Sequence, residues 1–179
     1  MKGIIFTKFL EMVEDKWELS MLDELITKAK DPINGAYNAV DTYDHKQLVN
    51  LVVELHKKTV IPVADFLEVY GKYLFSKLAE ENPKLMKSIH SIFDMLLNIE
   101  TAIHTEVLKL HSDANPPRFE DKIESENEMK RTYHSHRSMA DVAIGLIKGC
   151  AAYYDETIEI ETLEIAENGQ RVDFKITRK

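Results

Sequence analysis

The C-terminal stretch ETIEIETLEIAENGQRVDFKITRK constrains the fold more tightly than any other part of the chain. Apolar and polar residues alternate on both sides of Asn168-Gly169. A period of two turns one face of a strand toward a core and the other toward water. Asn-Gly supplies the left-handed pair that a type I′ hairpin turn needs, so two antiparallel strands are expected here. EMKRTYHSHR alternates as well, which argues for a small antiparallel sheet in the C-terminal third.

The remainder reads as helix. Ile4, Ile5, Phe9, Met12 and Val13 recur at helical spacing and predict a helix over 2–18. A short helix is expected over 20–30, stopped by the turn-rich DPING. Asp44 is a good N-cap for a helix carrying Leu48, Leu51, Val52 and Leu55 on one face. After Pro62 another helix aligns Val63, Phe66, Leu67, Tyr70, Leu74 and Leu78, with Gly71 marking close packing or a kink. A short helical piece follows Pro83. Residues 88–111 predict the most apolar long helix, with Ile92, Leu96, Ile99, Ile103 and Leu110 in one row and Phe93, Leu97, His104 and Leu108 in the next. Two adjacent rows imply a wide buried face. Pro116 and Pro117 stop the run, and 139–154 predict one more apolar helix. The fold class is therefore α+β: a helical N-terminal part, then a part with a small antiparallel sheet and helices.

With 179 residues, 44% of them hydrophobic, the chain suits one globular domain with a substantial core. It has no apolar run long enough to span a membrane. Lys8, Glu11, Glu14 and Asp15 interrupt the N-terminal apolar stretch, which is not a good signal peptide, so a cytoplasmic location is expected. A net charge of −8 argues against a nucleic-acid partner. The single cysteine, Cys150, rules out an internal disulfide and a cysteine zinc site, and it reads as a buried, inert thiol. Gly-rich phosphate loops, G-x-S-x-G, H-E-x-x-H and paired-Cys motifs are all missing, so nothing points to an enzyme.

Three groups of polar residues stand out. In an extended YHSHR, Tyr133, Ser135 and Arg137 share one side and offer two hydroxyls and a guanidinium to an anion; a solvated edge strand is the plainer reading. His134 and His136 share the opposite side, without an evident third metal ligand. His104 lies in the second apolar row, where a core histidine bonded to a carbonyl and a single axial haem ligand are both possible. Periodicity does not favour it over His90 or His111.

MKGIIF, IETAIHTEVLKLH, NPPRF and YHSHRSMADVAIGLIKG occur in that order. Together they resemble the haem nitric oxide/oxygen binding (H-NOX) family of the stand-alone bacterial type, related to the haem domain of soluble guanylate cyclase. The resemblance spans essentially the whole chain. Its most specific element is Tyr-x-Ser-x-Arg at 133–137, with a His about thirty residues upstream and a Pro thirteen residues after that His.

The resemblance implies a single domain over 1–179, with a helical subdomain over about 1–60, a haem-holding subdomain over about 61–179 and a haem b (iron protoporphyrin IX) buried between them. His104 becomes the proximal iron ligand, Tyr133, Ser135 and Arg137 hold the haem propionates, and Pro117 distorts the macrocycle. Ile5, Phe9, Leu74, Leu78, Val142 and Leu146 are the candidates for an apolar distal wall. Oxygen-binding members carry a distal Tyr where this chain has Val142, so the resemblance implies a sensor of nitric oxide that also binds carbon monoxide. Its output is expected in trans, through a histidine kinase or a diguanylate cyclase/phosphodiesterase protein. The alternatives are a haem-free interaction module and an oxygen-binding member of the same family.

Overall fold

A computed structural model describes the whole chain, Met1–Lys179. Four strands, β1 (Arg118–Ser125), β2 (Glu128–His134), β3 (Ile158–Ala166) and β4 (Arg171–Arg178), form one antiparallel sheet in the order β1-β2-β4-β3. The C-terminal hairpin forms, with a longer connection than a two-residue turn. Pairing ends at Ala166 and Arg171, and Glu167 joins Asn168 and Gly169 at positive φ. Asn168 and Gly169 are still the central pair of a turn closed by Gln170 N donating to Glu167 O at 3.1 Å. A register shift between Thr162 and Glu164 leaves Leu163 out of the pairing and sets Ile165 opposite the buried Val172; on this edge strand the two are 45% and 68% exposed. An extra residue in one strand reverses the facing of everything beyond it. β4 keeps its phase, and Val172, Phe174 and Ile176 are all buried.

The N-terminal helices are α1 (Gly3–Trp17), α2 (Leu19–Lys28), α3 (His45–Thr59) and α4 (Val63–Glu81). The Asp44 carboxylate caps α3 by accepting from Lys46 N at 3.0 Å. Phe6, Phe9, Met12 and Val13 of α1 join Leu48, Leu51 and Leu55 of α3 and Phe66, Tyr70 and Leu74 of α4 in one core. The helical core thus extends past residue 60 into α4.

α8 (Ala140–Tyr153) lies between α4 and the sheet. Toward the sheet, its Ile147, Cys150 and Ala151 share a core with Met129 and Ile176. Toward α4, the backbones meet: a Cβ on Gly71 would stand 2.3 Å from Val142 O and 2.8 Å from Gly145 Cα. Gly71 is a point of close packing between two helices.

The helix expected over 88–111 is not continuous. After α5 (Pro83–Ser88) the chain is extended, and α6 (Ile92–Asn98) begins afresh at Ser91, whose hydroxyl accepts from Asp94 N at 3.1 Å. A π-helical turn over Ile99–Ile103 then leads into α7 (His104–Leu110). The extra residue of a π turn shifts the phase, so the two rows do not run straight through. Ile92, Phe93 and Leu96 are buried, whereas Leu97 and Leu108 are exposed and Leu110 is 76% exposed.

The YHSHR segment is not one extended strand. β2 ends at His134, and Ser135 opens a turn: its Oγ accepts from Arg137 N at 3.3 Å, and its carbonyl accepts from Ser138 N at 3.2 Å. Local side-chain bonds of this kind compete with the sheet ladder.

Candidate functional site

His104 is the first residue after the π turn, and its side chain is 16% exposed. Its Nδ1 lies 2.9 Å from Glu100 Oε1. A carboxylate accepts, so Nδ1 carries the proton and the lone pair is left on Nε2. Burial holds the imidazole pKa below its usual value, and Glu100 opposes that effect. The ring stacks near Phe119, with centroids 6.2 Å apart and planes at 27°. On Phe119 also rests the guanidinium of Arg131, 4.4 Å from the ring centre. Arg131 is itself buried, bonded to both oxygens of Asp121 and to Leu96 O.

The turn after β2 gathers the donors. Tyr133 is buried, and its hydroxyl oxygen accepts from Met139 N at 3.1 Å. Arg137 Nη1 donates to Asn115 O at 2.6 Å, which fastens the turn to the segment holding Pro116 and Pro117. Both prolines are half-buried and connect α7 to β1. Burial lowers the Arg137 pKa, with Tyr133 opposing it. His136 is exposed, with its ring edge against His45, and no cluster of three His, Cys, Asp or Glu side chains exists to make His134 and His136 part of a metal site.

The six apolar candidates fall in a single cluster. Phe9 and Leu74 are buried within it, and Ile5, Leu78, Val142 and Leu146 are half-buried against it. Tyr70 lies fully buried in the same cluster, and its hydroxyl donates to Ile5 O at 2.5 Å.

The donor set suits a group bearing carboxylates beside an apolar body. Arg137 Nε is buried without a partner, and the hydroxyl protons of Tyr133 and Ser135 have no assigned acceptor. Buried carboxylates need charge-assisted donors of this kind. His104 adds one neutral imidazole with a free Nε2, as a single axial ligand requires. The residues present therefore fit a haem with its propionates.

A family model described as Haem-NO-binding matches residues 2–162. The chain belongs to the H-NOX family. H-NOX domains are haem-based gas sensors. The H-NOX protein of K. algicida, solved in the unliganded Fe(II) state, is 34% identical, with 100% of this chain and 97% of that chain covered and a TM-score of 0.93. The Shewanella woodyi H-NOX, solved bound to IWP-051 in the Fe(II)CO state, is 35% identical over 100% and 95% of the two chains, with a TM-score of 0.86. The S. oneidensis H-NOX in the Fe(II)NO state is 25% identical over 100% and 99%, with a TM-score of 0.91. No curated protein gives a significant match. In the present H-NOX chain no helix is long and apolar enough to cross a membrane.

Sequence patterns did not single out Glu100, Asn115 or Phe119. Glu100 was visible as a carboxylate four residues before His104, and Asn115 acts through its backbone carbonyl, which no side-chain pattern reveals.

Proposed function

We propose that this H-NOX domain is a nitric oxide sensor built on haem b, signalling in trans to a histidine kinase or a diguanylate cyclase/phosphodiesterase protein. In this reading His104 holds the iron, and Tyr133, Ser135 and Arg137 hold the propionates. Pro117 presses on the macrocycle, and Ile5, Phe9, Leu74, Leu78, Val142 and Leu146 form the distal wall. Subdomains of about 1–60 and 61–179 enclose the group. A haem held by these residues would supply a ferrous iron able to bind diatomic gases.

The observation that carries the choice of gas is the lack of a free donor among the wall residues. Val142 and Leu74 have no polar atom to offer, and the Tyr70 hydroxyl is already committed to Ile5 O. Bound oxygen carries partial negative charge and loses an electrostatic hydrogen bond at such a wall. Nitric oxide and carbon monoxide depend on that bond far less. His104 would supply the output step: as the first residue of α7 it would tie a bound haem to that helix, so holding or releasing the group would set the helix position.

Protein purified from haem-supplied cells tests this directly. It should carry about one haem per chain, bind nitric oxide and carbon monoxide when ferrous, and show no stable oxygen binding in air. A stable oxygen spectrum would overturn the choice of gas. A colourless, folded protein would favour an interaction module.

A further inference from the structure

We propose that Glu100 is a positioning residue that sets the strength of the His104–iron bond, by accepting the imidazole Nδ1–H from a carboxylate held in place by the Phe119 backbone. The inference rests on the haem reading above.

Glu100 and His104 form no casual surface pair. The imidazole is largely shielded, with a side-chain exposure of 16%, and Glu100 Oε1 also accepts from Phe119 N at 3.0 Å. One carboxylate oxygen therefore bridges the ring and β1. The π turn contributes to this arrangement. In an α-helix, His104 N–H would bond the Glu100 carbonyl; here it donates to Ile99 O, and the Glu100 carbonyl accepts from the Thr105 hydroxyl at 3.0 Å. Glu100 is thus fixed through its backbone by the helix and through its side chain by the strand. Phe119, backed by Arg131, stands beside the ring.

A carboxylate that accepts a ligand histidine's second N–H fixes the tautomer and ring orientation, and it makes the other nitrogen a stronger donor to metal. At His104 that raises the threshold a gas must pass to break the bond opposite it. Glu100 also extends the tether, because the atom that holds the ring holds Phe119, two residues beyond Pro117.

The test uses the ferrous holoprotein. Glu100→Gln keeps the size of the side chain and an oxygen for Phe119 N, and removes the charge. Resonance Raman spectroscopy of the unliganded protein should show the iron–histidine stretch at lower frequency in Glu100→Gln. Stopped-flow mixing with nitric oxide should show His104 released roughly tenfold faster or more. An unshifted stretch with an unchanged release rate would overturn the proposal. If the unmodified protein shows no iron–histidine stretch, the haem reading fails instead.

A second measurement avoids dependence on that variant. In His104→Gly, free imidazole should bind the iron about tenfold or more tightly than 1-methylimidazole, which has no N–H for Glu100 to accept. The preference should shrink in the double variant His104→Gly/Glu100→Gln. Equal preference in the two backgrounds also overturns the proposal.

Discussion

Tyr70 is buried in the helical core and Arg137 is half-buried in the turn after β2, and their bonds decide what each can do. The Tyr70 hydroxyl serves Ile5 O, joining α4 to α1. Tyr70→Phe should destabilise the fold by about 1 kcal/mol, the usual net worth of one hydrogen bond, because Ile5 O keeps its partner within α1. It should leave oxygen binding as weak as before. Urea unfolding beside absorption spectra in air checks both outcomes. Arg137 brings a charged fork to the turn, whereas Ser135 brings one neutral hydroxyl. Charged hydrogen bonds are worth about 1.5–3 kcal/mol and neutral ones about 1. Arg137→Ala should therefore speed haem transfer to apomyoglobin more than Ser135→Ala; the reverse order would refute the propionate assignment. Residue type alone made these donors legible. Their arrangement was not, because the Ser135 hydroxyl bonds the Arg137 backbone and ends the strand that alternation would continue.

Helix and strand boundaries were legible where one periodicity ran unbroken and a cap followed. Asp44 before α3 and Asn168-Gly169 in the hairpin are such places. The pattern failed where one residue was added: at the register shift near Leu163, and at the π turn before His104. Both insertions preserve the composition and move the phase, so a reading of rows cannot anticipate them. Gly71 was visible as a site of close approach, and the structure supplies its partner, Gly145. Gly71→Ala would set a methyl 2.3 Å from Val142 O, so α4 and α8 must part. Overpacking of this kind costs about 1–3 kcal/mol, to be measured by chemical unfolding, and it should alter gas affinity through the shift of Val142 against Leu74. On the other face of α8, burial raises the Cys150 thiol to about 12. Thiol reagents should label it only after unfolding.

Across the whole molecule, Asp113 ties Thr42, in the α2–α3 connection, and Lys2, just before α1, to the segment before Pro116. It accepts from Lys2 Nζ at 2.9 Å and from Thr42 Oγ1 at 2.5 Å. These bonds hold its pKa at about 2, below the ordinary 3.8. A depressed carboxylate stabilises the fold above its unfolded value, and that contribution disappears as pH falls through the folded one. The advantage of the native protein over Asp113→Ala in acid unfolding should thus be full above pH 3.8 and gone below about 2. Pro117 lies in the same connection, between α7 and β1. If it strains the haem as proposed, Pro117→Ala should partly reproduce the gas-bound output in a partner assay without gas. The sequence made His104, Pro117 and the motif residues candidates by type and by resemblance. It did not carry the ties among them, which run through backbone atoms of Asn115 and Phe119. In the proposed function His104 is the mechanical link between iron and helix. Amide hydrogen exchange over Ile92–Leu110, with and without nitric oxide, tests it when native protein is set beside His104→Gly rescued by imidazole. Nitric oxide should change exchange along this stretch in the native protein and leave the rescued variant unchanged. The same change in both would contradict the link.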